Sequence, residues 1–117
     1  MNKTKITLLS SVIFSLSLTV QAASCPSATR PSAPGFCSSF KIAAECHCIS
    51  SGLPRGMCMN HELLYKRMIT TFGSLQKACE FQHDISAQEC IDDWNCFRFG
   101  GLTSSSELCS GTGAACA

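Results

Sequence analysis

Three features of the sequence predict a small all-α fold held by disulfides. Ten cysteines lie in 117 residues. Two stretches place apolar residues at helical spacing, and none alternates apolar and polar residues as a half-buried strand does. A chain this short buries a thin core, and crosslinks are the usual remedy. The expected architecture is a disulfide-rich helical hairpin plus a short third helix, with loop-rich ends.

Residues 1–22 read as an export signal. Lys3 and Lys5 give a short basic start, and residues 6–20 form an uncharged apolar run. Val20-Gln21-Ala22 puts small residues at a cleavage site. The run is about 15 residues, short of the roughly 20 that span a bilayer, so cleavage after Ala22 is expected over retention as an anchor. Ala22-Ala23-Ser24-Cys25 loosely resembles a lipobox. Lipidating Cys25 would leave an odd number of cysteines and strand one thiol in an oxidising compartment. The remaining chain holds seven basic and eight acidic side chains, a net charge of −1. With no basic face, nucleic acid is not an expected partner.

Residues 23–37 carry three prolines and no apolar periodicity, so an extended arm tied down by Cys25 and Cys37 is expected. Residues 38–101 should form the helical domain. Within it, a short helix over 40–48 takes its cap from Ser38 or Ser39, and Gly52, Pro54 and Gly56 predict a loop over 49–57. Asn60 is the expected N-cap of a long helix over 61–80, with Met59 and Leu64 as a hydrophobic staple. At about 100° per residue, Leu64, Tyr65, Met68, Phe72, Leu75 and Cys79 share one stripe. Gly73 lies off that stripe, where it costs about 1 kcal/mol of propensity. Ser86 and Glu89 form a capping box for the next helix, which buries Ala87, Cys90, Ile91, Trp94 and Phe97 and stops at Gly100-Gly101. Residues 102–117 read as a Ser/Gly-rich tail pinned by Cys109 and Cys116.

All ten cysteines, Cys25, Cys37, Cys46, Cys48, Cys58, Cys79, Cys90, Cys96, Cys109 and Cys116, are expected in disulfides. Their connectivity is open, with about 945 pairings. Geometry trims the set. Cys46 and Cys48 are too close in sequence to bridge each other without strain. Cys79 ends one predicted helix and Cys90 opens the next, so an antiparallel pair could bridge them. Cys58 should lie near Cys46, Cys48 or Cys96. Cys90 and Cys96 point about 120° apart and need different partners.

Several residues could carry chemistry. Cys46-His47-Cys48 could hold zinc with His61 or His83, but the spacing is shorter than structural zinc sites use. The same pair as a redox dithiol would need a thioredoxin-like frame, which the pattern lacks. Cys79-Glu80-Phe81-Gln82-His83-Asp84 resembles the cysteine and His-Asp pair of secreted phospholipases A2. The cysteine that closely follows that pair is missing, and no glycine-rich calcium loop precedes it. His83-Asp84 is expected on an exposed turn, and Asp92-Asp93 on a solvated face. No catalytic, cofactor or metal-binding residue is therefore assigned, and the chain is expected not to be an enzyme. Arg98 and Phe99 fall beyond the apolar stripe, and exposed aromatic and arginine side chains favour interfaces. These two are the expected interaction surface.

The segment Cys48-Ile49-Ser50-Ser51-Gly52-Leu53-Pro54-Arg55-Gly56-Met57-Cys58, followed by Leu64-Tyr65-Lys66-Arg67, resembles the TrbM family of conjugal transfer proteins. A wider pattern resembles EirA-like envelope proteins of type IVB (Dot/Icm-like) secretion: Cys46-His47-Cys48, Phe72-Gly73-Ser74, Cys79-Glu80-Phe81-Gln82, Trp94-Asn95-Cys96 and Gly100-Gly101. These motifs specify a cysteine framework and no reaction. The resemblance implies a periplasmic accessory of a type IV machine, peripherally associated with the inner membrane in one version, that binds other envelope proteins. The alternative is a small helical carrier of a lipid or apolar ligand, against which the core looks too small for a sizeable cavity. A hydrolase acting through His83-Asp84 is the third reading.

Overall fold

The computed structural model describes residues 24–117. The export signal expected over 1–22 lies outside the described residues. The described chain runs through α1 (Phe36–Ser50), α2 (Arg55–Cys58), α3 (His61–Phe72), α4 (Leu75–Phe81), α5 (Ala87–Phe99) and a 3-10 turn, Cys109–Gly111. No strand forms among the described residues, and an isolated antiparallel bridge joins Leu102 and Leu108. The fold is all-α and disulfide-rich, as the sequence predicts.

The first helix departs most from expectation. It is neither short nor capped by Ser38 or Ser39: α1 is 15 residues long and follows Gly35, which offers no side-chain cap. Two turns precede it, closed by Ala33 N–H on Arg30 O and Phe36 N–H on Ala33 O. Cys37 thus belongs to a helix and not to an extended arm. Ser38 and Ser39 instead donate back to Gly35 O and Phe36 O, a local bond that a serine inside a helix readily makes. The Ser39 hydroxyl also accepts from Thr29 N–H at 2.9 Å, fastening the arm to the helix. α1 continues through Ser50, so the loop predicted over 49–57 shrinks to the turn at Gly52 before α2.

The long helix predicted over 61–80 is two helices. Asn60 caps α3 as expected, its side chain accepting from Leu63 N–H at 3.1 Å. Gly73 then adopts φ +93°, the left-handed conformation that ends a helix. Ser74 at once caps α4 by accepting from Lys77 N–H at 3.1 Å. Glycine reaches that backbone state without a Cβ penalty, and a serine in the next position supplies the restart. The gain is a change of direction that folds α4 back against α5.

α5 follows its prediction closely. The Ser86 hydroxyl accepts from Glu89 N–H at 3.2 Å. Cys90, Trp94, Cys96 and Phe97 are buried, and the helix ends at Gly100. That glycine is obligatory for two reasons. Its φ is +70°, and a Cβ there would lie 2.5 Å from Gly113 O and 2.6 Å from Ala115 N. The tail therefore packs directly on the end of α5, with Gly101 N–H on Gly113 O and Cys116 N–H on Phe97 O.

Phe40 centres the core. Its ring meets Phe36 at 5.4 Å, Phe97 at 5.0 Å and Trp94 edge-on at 4.9 Å between centroids. Such aromatic pairs add about 0.5–1.5 kcal/mol each beyond the area they bury. Around this cluster the ten cysteines pair as Cys25–Cys46, Cys37–Cys116, Cys48–Cys58, Cys79–Cys90 and Cys96–Cys109, and no cysteine is free. Each partner restriction read from spacing is obeyed. The bridges tie the arm to α1, α1 to the tail and to α2, α4 to α5, and α5 to the 3-10 turn. Five disulfides suit an oxidising, extracytoplasmic compartment. Among the described residues no helix is long and apolar enough to cross a membrane.

Candidate functional site

The arm, α1, α3, α4 and α5 enclose an open groove with a cavity volume of about 520 Å³. Ligand pockets commonly hold about 300–1,000 Å³, and the elements leave an open groove of that size between them, outside the core. The reason is the break at Gly73. A continuous helix would run past α5, whereas the bend folds α4 back and leaves space between it and α1. Leu64 and Met68 from α3, Phe40 from α1 and Trp94 from α5 supply apolar lining. Phe72 and Phe81, from the two sides of the bend, also line it, their tilted rings 4.9 Å apart between centroids.

The groove contains one buried acid. Asp93 is 4% exposed, and its Oδ1 has no hydrogen-bond partner among the described residues. Burial, reinforced by the nearby Glu89 and Asp92, pushes its carboxyl from 3.8 up to about 7. This overturns the reading of Asp92-Asp93 as a solvated face. The two neighbours part company. Asp92 turns toward the tail, where its carboxylate accepts from Ser104 N–H at 3.1 Å and from the Ser104 hydroxyl at 2.7 Å. Asp93 turns inward. Part of the signal was present in the sequence: at about 100° per residue, Asp93 lies about 40° beyond Phe97 at the edge of the predicted apolar face, between Phe97 and Cys96, and both of those are buried.

The α4–α5 connection forms one edge of the groove, and Gln82 organises it. Its amide donates to Cys79 O and Ile85 O, both at 2.8 Å, and its carbonyl oxygen accepts from Asp84 N–H and Ile85 N–H at 2.9 and 3.1 Å. His83 and Asp84 are exposed on this turn, as expected. Asp84 pairs with His47, Oδ2 to Nδ1 at 3.5 Å. Cys46 and Cys48 are both spent in disulfides, so neither offers a thiolate to zinc or to redox chemistry. Among the described residues no cluster of three metal-ligating side chains occurs.

A second surface lies at the end of α5. Phe99 is 65% exposed, and Leu102 and Leu108 are exposed with it. Leu102 and Leu108 face each other across their bridge, and opposed residues of an antiparallel pair project to one side. Cys96–Cys109 and the Gly100 packing hold this end in place. Arg98 is half-buried, its guanidinium carbon 4.0 Å from the Tyr65 ring centroid and 5.2 Å from that of Phe99. The predicted pair therefore divides: Phe99 is displayed, while Arg98 is committed to an intramolecular cation–π contact that braces it. Leu102 and Leu108 lie in the Ser/Gly-rich tail that the sequence predicts, and only the bridge reveals them as part of the display.

Compared with known proteins, the chain matches no family model, no curated sequence and no solved structure.

Proposed function

We propose that the chain is an exported, non-enzymatic accessory of a type IV (Dot/Icm-like) secretion system, working in the periplasm or against the inner membrane by contacts with other envelope proteins. The observation that carries this reading is the exposed apolar set Phe99, Leu102 and Leu108, displayed on a frame locked by Cys96–Cys109. Exposed apolar surface of this kind marks interaction sites, and the lock limits the ordering cost of association. The EirA-like and TrbM-like motifs supply the machine. Cleavage after Ala22 releases the mature form.

The test is complementation of a deletion strain in a translocation reporter assay, with circular dichroism on each purified variant. Wild type and His83→Ala should restore translocation, and Phe99→Ala should fold yet fail. Arg98→Glu is a poorer probe because it also removes the contact with Tyr65, worth about 0.5–1 kcal/mol. A well-folded Phe99→Ala variant with full translocation removes this surface from the mechanism. Loss of translocation in a folded His83→Ala variant points instead to chemistry at the α4–α5 turn.

A further inference from the structure

The groove asks for an explanation that the secretion role does not supply. An apolar lining would be better served by an apolar side chain at position 93, because an unpartnered buried carboxyl is costly. Perturbed acids of this sort concentrate at functional sites. The groove also has a charge preference. Glu89 and Asp93 from α5, Asp84 from the α4–α5 connection, Arg67 from α3 and His47 from α1 line it. His47 is engaged with Asp84, and Asp92 is held outside by Ser104. With the His47–Asp84 pair set aside, Glu89 and Asp93 against Arg67 leave an acidic excess once Asp93 is ionised, which favours a cation over an anion.

We propose that the groove binds a small amphipathic amine, its ammonium head on the Asp93 carboxyl and its hydrocarbon tail along Leu64, Met68, Phe72 and Trp94. The head supplies the hydrogen-bond donor that Asp93 Oδ1 lacks, and the tail covers the apolar walls. The Asp93 carboxyl accepts an ammonium best when ionised, so binding strengthens as the solution becomes more alkaline through its titration near 7. Binding itself favours the ionised form, since a neighbouring positive charge lowers a carboxyl's pKa. This site is independent of the apolar end of α5, and the two can fail separately.

Trp94 is the chain's single tryptophan and lines the groove, so its fluorescence reports occupancy. The probes are octylamine, octanoate and 1-octanol, titrated by fluorescence and calorimetry into the disulfide-intact protein. At about pH 8 octylamine should bind at least ~10-fold more tightly than either control, and its affinity should fall at least ~10-fold by about pH 5 as Asp93 takes up its proton. Asp93→Asn should lose the preference for the amine and the pH dependence together. Equal affinity for octanoate or 1-octanol, octylamine binding that ignores pH in the wild type, or no octylamine binding overturns the proposal. The wild-type arms decide it even if Asp93→Asn does not fold.

Discussion

Asp93→Asn should change how stability depends on pH, and the magnitude follows from the burial of one carboxyl. The group titrates near 3.8 when unfolded and near 7 when folded. Between those values the folded protein holds a proton that the unfolded chain has released, so stability falls as pH rises through this window. Below about pH 4 both states are protonated and the penalty is absent. Above about pH 7 it is fully present. At about 1.4 kcal/mol per pH unit, the rise from 3.8 to about 7 corresponds to a penalty on the order of 4 kcal/mol. Asparagine keeps the shape and never ionises. Wild type and Asp93→Asn should therefore match within about 1 kcal/mol near pH 4, diverge up to about pH 7 and hold a constant gap from there to about pH 8, the variant ending more stable by roughly 2–4 kcal/mol. The measurement is guanidinium unfolding at pH steps across that range, with disulfides intact. Taking the difference between the two proteins cancels whatever pH dependence they share. Parallel curves for the two proteins would refute the assignment of Asp93 as a buried acid.

Three further outcomes probe the frame. Gly100→Ala should cost about 3 kcal/mol or more, because its Cβ meets backbone at 2.5 Å, whereas Gly101→Ala, at φ +88° in open space, should cost about 1–2 kcal/mol; equal losses by chemical denaturation would show that the tail does not pack on α5. Replacing both cysteines by alanine should hurt more for Cys37–Cys116, which closes a span of 79 residues, than for Cys79–Cys90, which closes 11. Loop closure predicts about 4.5 against about 3 kcal/mol, and a reversed order in thermal unfolding would mean that native packing outweighs loop entropy here. Gln82→Leu removes four hydrogen bonds at the groove's edge and should cost about 2 kcal/mol while speeding amide exchange at Asp84 and Ile85; unchanged exchange there would deny Gln82 its organising role.

Local signals made the second half of the helical domain readable. The Asn60 and Ser86 caps, the apolar face of α5 and its glycine stop each depend on a few neighbouring residues, and all stand where the sequence places them. The Gly73 break was equally local. A glycine followed by serine is a stop and a restart, and weighing Gly73 only as a propensity cost hides that. α1 was harder. Its first turn lacks a side-chain cap, and its serines bond backward, so the helix begins where prolines suggest an extended arm. Phe40 is buried because the rings of Trp94 and Phe97, more than fifty residues away in sequence, pack against it, and Phe36 packs on Phe40 in turn.

Composition and spacing by themselves determined an all-α, crosslinked chain with every cysteine paired, because helix periodicity and cysteine number are properties of short windows and of counting. They also excluded several pairings, since a tight spacing or a helical phase forbids a bridge whatever the rest of the chain does. Which cysteines meet, that Asp93 faces inward while Asp92 reaches Ser104, and that α4 folds back to leave a groove were decided only by the tertiary structure. Each depends on segments distant in sequence arriving at one place. Proximity of that kind is set by how all the helices share a single core, and no window of the sequence contains it.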